Sequence, residues 1–307
     1  MEPQSSIVTK QVTKKSVKSP SLWKQTYRRL KKNKLAMISL FFLIFMFLLS
    51  FIGPHFSPYI QDRTSIADMN QPPSSSHWHG TDNYGRDVLT RLMMAGQISL
   101  TIGIASMFLS VMIGSLLGAI SGFYRGVVDM VIMRIADILM SIPGLPLLLI
   151  LAAILSEWKV PAEYRLYIIM IMLSFVGWPG LARLVRGQIL SLKEQPFMQA
   201  TEVLGLRDRR KIIHHLIPNT IPLLLVVATL NVAGSILSES ALSFLGLGVV
   251  PPTPSWGNMM NAANNFMDFR KRPWLWIPPG TTIFLTVVSI NLLGDGLRDA
   301  LDPKMRR

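Results

Sequence analysis

The chain has 307 residues, of which 50% are hydrophobic and only 16% charged, where a soluble domain carries roughly a quarter charged residues. Cysteine is absent, which excludes a disulfide-stapled secreted module, thiolate metal sites, cysteine nucleophiles and S-acylation. The formal net charge of +14 would point to nucleic acid in a soluble chain; in an apolar one, its meaning depends on where the 31 Lys and Arg lie relative to the apolar stretches.

Residues 1–21 mix Lys, Ser, Thr, Gln and Pro without periodicity, the composition of a disordered tail. From 22 to 34 (LWKQTYRRLKKNK) the pattern turns apolar and basic, which predicts a short surface helix lying against anionic headgroups. Residues 35–53 run 19 positions without a charge, enough at about 1.5 Å per residue to cross a hydrocarbon core of about 30 Å. Five more apolar stretches follow, near 98–122, 131–155, 166–181, 221–247 and 277–293. Six spans place both chain ends on one side. Pro143, Pro146, Pro179, Pro222 and Gly234 fall inside these stretches and predict kinks or breaks, tolerable where neighbouring helices or cavity water satisfy the freed backbone groups.

Counted by alternate connecting segments, 22 Lys and Arg fall on the side of the termini and 8 on the other, with Arg134 inside a span. The positive-inside rule therefore puts both termini in the cytoplasm and explains the basic excess without nucleic acid. No repeat is visible, and the longest outer connection is 44 residues, too short for a large attached receptor or enzyme domain.

Arg134 and Asp137 stand at i and i+3 in the third span, on one helix face, where a lone charge would cost several kcal/mol. They are expected to pair with each other or with a neighbour and to face the bundle, either as a lining of a polar path or as a structural ion pair. Glu239 lies 18 residues beyond Ile221, about 27 Å along a helix, near the outer surface where a carboxylate costs little. Asp295 lies near the inner end of the last span.

No G-x-x-x-x-G-K-[ST] loop is present, so this chain is read as a non-enzyme without its own ATPase site. H-E-x-x-H and G-x-S-x-G are also missing. His77 and His79 in HWHGTD have no third ligand at metal spacing and read as a loop pair packed beside Trp78, with no metal. Two other classes stay in view: an intramembrane enzyme, which would need a nucleophile or metal cluster in the spans, and an ion channel, which would need a selectivity ring.

The most informative inner segment is 196–219, PFMQATEVLGLRDRRKIIHHLIPN. Ala200, Leu204, Ile212 and Ile213 make a broken apolar stripe, Gly205 interrupts a helical pattern, and 207–211 supply charge. This predicts a helix, a Gly-centred turn and a second helix, with small residues that let another protein approach closely.

At this segment the sequence resembles the inner-membrane permease subunits of ATP-binding-cassette importers. Their signature reads E-A-A, three residues, Gly, nine residues, I-x-L-P; here Gln199, Ala200 and Thr201 stand first, Gly205 at the glycine, and His215, Leu216, Ile217 and Pro218 at the end. The spacing is kept while Gln199, Thr201, His215 and Ile217 depart from the pattern. GTDNYGRDVLTRL (80–92), SFLGLGVVPPTPSWGNMM (243–260) and LGDGLRDALDPKMR (293–306) resemble the second permease subunit of the oligopeptide and dipeptide group, and nickel importers share the GTD-x-x-GRD block.

The resemblance implies an all-α, polytopic membrane protein with six transmembrane helices in the type I ABC importer permease fold. It divides the chain into an inner tail and surface helix (1–34), a first anchor (35–53), an extracytoplasmic loop (54–95), the permease domain (96–297) and an inner tail (298–307). It implies a coupling segment over 196–218, carried by Gln199, Ala200, Thr201, Gly205, Leu206 and Pro218, that docks on an ATPase. It also implies partners: a homologous permease, two cytoplasmic ATP-binding subunits that hold ATP and Mg, an extracytoplasmic peptide-binding protein, a peptide substrate and the lipid bilayer, all in the cytoplasmic membrane of a prokaryote. No cofactor is expected on this chain. Asp82, Arg86 and Asp87 are candidates for contact with the binding protein or for a structural outer turn.

Overall fold

A computed structural model of the chain describes residues 22–301 other than 61 and 159. The tail expected over 1–21 lies outside the described residues, as does the end of the chain from 302. The described residues are helical with one isolated bridge, Thr81 to Asp87.

Helix α1 (Leu22–Leu30) turns at 31–33 into α2 (Lys34–Phe51), where Asn33 Oδ1 accepts the Ala36 amide at 3.2 Å and caps the first span. Buried Thr26 and the approach of Leu30 to Gly296 seat α1 against the end of the last helix, so it does not lie on headgroups alone. An outer segment leads to α3 (Val88–Tyr124), 37 residues long, which is roughly 55 Å. This helix begins ten residues before the apolar stretch that announces it, because Asp87 caps it within a polar turn.

The next apolar stretch is broken. Helices α4 (Gly126–Ser141) and α5 (Gly144–Glu157) meet at 87°. Pro143 forces Ile142 out of the helical region, and Ile142 takes φ −96° and ψ 128°. The pair still runs the length of its neighbour α6 (Ala162–Lys193): Asp129 in the first turn of α4 binds Arg186 near the end of α6, and Ala152 and Leu155 of α5 lie beside Ile168 and Ile169 near its start. Counted as one bent span, it brings the total to six.

Short helices α7 (Pro196–Val203) and α8 (Asp208–Arg210) follow, then a π-wound turn, Lys211–Leu216, that runs into α9 (Ile217–Phe244). Beyond α9 the chain folds back through α10 (Trp256–Met259) and α11 (Phe266–Lys271) before α12 (Ile277–Leu301) returns to the first end. Of the expected kinks only Pro143 breaks a span. Helices α6 and α9 continue through Pro179 and Pro222, each losing one backbone bond. Around Pro179 the turns are pinned by Trp178, Leu181 and Ala182, which pack into two core clusters shared with α3 and α4.

The tightest seam joins α3 to α6. Gly114, Gly118 and Gly122 recur every fourth residue, and a Cβ at Gly114 would stand 2.6 Å from Leu181 Cβ and one at Gly122 2.9 Å from the Arg186 carbonyl oxygen. Small residues at this spacing let two helices approach until their backbones touch. The bundle therefore has a basic end, where α1, the α3–α4 turn, α7 and the end of α12 gather, and a loop end formed by 52–87 and 245–276.

Candidate functional site

At the basic end, α7 stands on the bundle as a short protrusion. Met198 and Thr201 are buried beneath it, and Met198 shares a core cluster with Ala119 and Phe123 of α3, Ile189 of α6 and Leu224 of α9. The helix ends on a Schellman motif: the Leu206 amide donates to the Thr201 carbonyl at 3.1 Å and the Gly205 amide to the Glu202 carbonyl at 2.9 Å. Gly205 takes φ +64°, a conformation an L side chain resists, and open space surrounds it.

Gln199, Ala200, Gly205 and Pro218 face outward, Leu206 is half-buried, and Thr201 points in. Val203 is 89% exposed and Leu204 75%. The expected apolar stripe is thus split. Ile212 and Leu216 are buried, whereas Ala200, Leu204 and Ile213 face away, because the turn at Gly205 and the π-wound segment rotate the two halves apart. Sequence reading missed Met198 and Leu216, the residues that anchor the protrusion.

At the loop end, residues 80–87 form a closed turn. Asp82 accepts the amides of Tyr84 (2.8 Å) and Arg86 (3.0 Å) through Oδ1 and the Arg86 Nε through Oδ2 at 2.8 Å. Gly85, at φ +73°, has no room for a Cβ against the Ser65 backbone. Asp87 Oδ2 accepts the Thr90 amide at 2.8 Å and its hydroxyl at 2.7 Å, while Oδ1 meets His77 Nδ1 at 2.9 Å. The structure brings Asp82, Arg86 and Asp87 together, but their charges point into the turn. Trp78 and Tyr84 are the exposed aromatic side chains there.

Arg91, one turn into α3, is buried and ties the end together: Nη1 meets Asp62 at 3.3 Å, Nε lies 3.7 Å from Asp82, and Nη2 donates to the Pro252 carbonyl at 3.4 Å. A cavity of about 380 Å³ opens between this turn and the 245–276 segment, lined in part by Asp82, Arg86, Arg91, Asn258 and Asp268.

Of the two alternatives for Asp137, the structure takes the neighbour: Arg183 of α6 donates to Oδ1 at 2.5 Å, and Arg134 is not its partner. Both Arg134 and Asp137 sit on the flank of α4, exposed on this chain instead of inside its bundle, because α4 packs through Ile132, Met133, Ala136 and Leu139. The more enclosed pair lies about two turns away on α4 and one turn away on α6. Asp129 takes Arg186 at both oxygens, 2.5 and 2.6 Å, and the Ser121 hydroxyl at 2.5 Å.

Glu239 also differs from expectation. It is 0% exposed, because the chain after α9 folds back over the helix top. Ser99 of α3 donates to its Oε2 at 2.9 Å and Ser243 to its Oε1 at 2.6 Å. Nothing local in the sequence could show this, since Ser99 is 140 residues away.

A bent-span helical bundle with an apolar protrusion at one end and a charged, closed cap at the other defines a polytopic membrane transport subunit rather than a soluble domain. Residues 114–307 match the family of binding-protein-dependent transport system inner membrane components, and residues 21–73 match the N-terminal transmembrane domain of oligopeptide transport permease C. The chain belongs to this permease family. It is 40% identical over 292 residues to the oligopeptide transport system permease protein OppC of Bacillus subtilis, covering 95% of this chain and 93% of that one. It is 41% identical over 294 residues to the dipeptide transport system permease protein DppC of the same organism, covering 95% and 89%. The corresponding OppC of Haemophilus influenzae is 40% identical over 301 residues, covering 97% and 94%.

Proposed function

We propose that the chain is one permease subunit of an ATP-binding-cassette importer that passes oligopeptides inward, driven by ATP hydrolysed on partner subunits. The observation that carries the reading is the protrusion at 196–206, which turns Val203 and Leu204, the most exposed of its apolar side chains, to the outside of the basic end. An isolated chain gains nothing by exposing them; a groove on another protein would cover them. The names of the relatives in Bacillus subtilis and Haemophilus influenzae supply the peptide class.

In this reading the basic end lies in the cytoplasm, as the excess of Lys and Arg there favours. The chain pairs with a homologous permease, and each of two ATP-binding subunits, holding ATP and Mg, receives a protrusion of this kind. Gln199, Ala200, Gly205, Leu206 and Pro218 form or border the docking face, and Thr201 holds the helix to its base. Closure of the ATPase pair pushes α7 as a rigid body. Met198 hands the push to the cluster shared by α3, α6 and α9, so the long helices move together. ATP must favour one arrangement of the spans over the other, or nothing is transported.

At the loop end an extracytoplasmic binding protein delivers the peptide. The turn built on Asp82, Arg86 and Asp87 supports that face, with Trp78 and Tyr84 as its outward contacts. A dipeptide substrate is the second reading, favoured by the 41% identity to DppC. Uptake of labelled di-, tri- and pentapeptides and of nickel, in cells with and without the chain and with ATP depleted as control, tests both. ATP-dependent loss of pentapeptide uptake supports the first reading. Loss confined to dipeptide or to nickel keeps the family and replaces the substrate, and no loss of any of them removes the proposal.

A further inference from the structure

Glu239 is a fully buried carboxyl that the coupling mechanism does not use. Three serine hydroxyls reach it, that of Ser240 only at 3.5 Å from Oε2; the other two are close. Ser99 and Ser243 each own one hydroxyl hydrogen, and each spends it on a different oxygen of Glu239, at 2.9 and 2.6 Å. Their oxygens are therefore left as acceptors. Ser99 Oγ accepts the backbone amide of Trp256 at 3.2 Å, and Ser243 Oγ accepts that of Val249 at 2.9 Å.

These two amides bracket the stretch that covers the top of α3 and α9. Between them the chain runs over Pro251 and Pro252 and returns as Ser255, which caps α10. Its seat is close: a Cβ at Gly257 would stand 2.5 Å from the Ser240 backbone. The same stretch forms one wall of the 380 Å³ cavity, through Val249, Val250 and Pro251, opposite Asp82, Arg86 and Arg91.

We infer that Glu239 is a positioning residue for the extracytoplasmic face: by accepting both serine hydroxyls it seats residues 249–256, and so holds open the cleft against which the binding protein docks. The docking half of this statement rests on the proposed function; the seating half does not. Glutamine at 239 would keep the shape and reverse one hydrogen bond. Its amide nitrogen is a donor, so one serine would have to turn its hydrogen away from position 239 and accept there as well as from the backbone amide it already holds. The turned hydroxyl would lose the bond it made to position 239, and the buried backbone N–H would share its acceptor with a second donor.

The absence of cysteine permits a direct test, since Thr253→Cys would be the only thiol of the chain. In the assembled transporter reconstituted in proteoliposomes, the rate at which a membrane-impermeant maleimide reacts with this thiol reports how firmly the segment is seated. Glu239→Gln is expected to raise the rate about tenfold, the factor that goes with one buried hydrogen bond. Ser243→Ala, which removes the Val249 acceptor directly, should do the same, and adding Glu239→Gln to a Ser99→Ala, Ser243→Ala chain should do nothing more. An unchanged rate in Glu239→Gln overturns the seating.

The second readout is ATP hydrolysis titrated with peptide-loaded binding protein. Glu239→Gln should raise the half-saturating concentration about tenfold, again the factor of one buried hydrogen bond, whereas loss of folded protein alone would lower the maximal rate at an unchanged half-saturating concentration. That second pattern overturns the docking role. If the unmodified transporter gives no response to binding protein, the importer reading fails and the docking role with it, and the labelling rates still decide whether Glu239 seats the segment.

Discussion

The two ends of the bundle are built on opposite terms. At the loop end a set of polar side chains finds partners within the chain: Asp82 is closed on Arg86, Arg91 reaches Asp62 and Pro252, Asp87 caps α3, and the Trp256 indole donates to the Leu92 carbonyl at 3.1 Å. At the basic end the protrusion leaves apolar side chains uncovered around a glycine with open space on every side. The charges of the first arrangement are closed within one chain, although Phe56, Ile66 and Phe266 stay exposed around them; the second, in the proposed reading, becomes complete only against another chain. Substitutions at the two ends should therefore fail in different ways: loss of folding at the loop end, loss of assembly with folding intact at the basic end.

The largest effect is expected from Trp256→Ala. The indole is fully buried among Leu92, Ala95, Ile236 and Ile290, and truncating such a residue costs about 3–5 kcal/mol. Thermal unfolding of the detergent-purified subunit should shift far downward, and the amount in membranes should fall. A melting curve like that of the unaltered chain would remove the claim that this end is a self-contained core.

Next comes Gly205→Arg at the opposite end. The space around Gly205 accommodates the side chain, so the fold loses only the left-handed strain of about 1–2 kcal/mol, and the protein should remain in the membrane in normal amount. Transport should nevertheless be abolished, because a long cation stands where the partner must close. Leu204→Asp should act in the same sense through the exposed apolar face. Co-purification of the ATP-binding subunits and peptide uptake measure both, and normal uptake at normal expression would end the docking assignment.

How much of this contrast could be read from residues alone follows from where each signal resides. Apolar runs are local, so the spans were legible, but the helices outrun them where polar turns continue the winding: α3 begins early at the Asp87 cap, and α6 and α12 run on past 181 and 293 to Lys193 and Leu301. A break at Pro143 is expected on the same terms as one at Pro179 or Pro222, and the sequence does not tell them apart: Pro179 lies in a turn that packing against α3 and α4 keeps helical. Spacing alone located Gly205 and its helix. It did not show which residues of α7 face inward, since the π-wound turn at 211–216 rotates the second half away from the first. Ser99 and the partners of Arg91 and Asp129 lie on other segments of the chain, and no periodicity within one helix carries that information; Ser243, one turn from Glu239 on α9, was within its reach. The recurrence of Gly114, Gly118 and Gly122 was available in the sequence and passed unread.

Smaller effects should separate the two ion pairs between α4 and α6. Asp129 is mostly enclosed, accepts Arg186 at two oxygens and also holds Ser121. Asp129→Asn should cost about 1–3 kcal/mol and lower the melting temperature measurably. Asp137 and Arg183 are each about half exposed, 54% and 49%, and a pair of that kind contributes about 1 kcal/mol or less in water. Asp137→Asn should therefore be close to neutral in the isolated subunit. An order reversed between the two variants would mean that the flank of α4 is covered in the purified protein.

The smallest expected change is in transport by the double variant His77→Ala, His79→Ala. His77 Nδ1 meets Asp87 Oδ1 at 2.9 Å, and Asp87 holds the first turn of α3 through its other oxygen. Removing the imidazole leaves the cap in place and frees one carboxylate oxygen beside a surface loop that water can reach, a loss of about 1 kcal/mol. That cost falls on stability, and Trp78 and Tyr84 keep their outward positions. Peptide uptake per folded protein should therefore match the unaltered chain, with or without a chelator of divalent metals. If uptake falls, and falls only when metal is present or only when it is removed, then these two imidazoles serve a ligand and the closed turn at 80–87 is no longer complete within one chain.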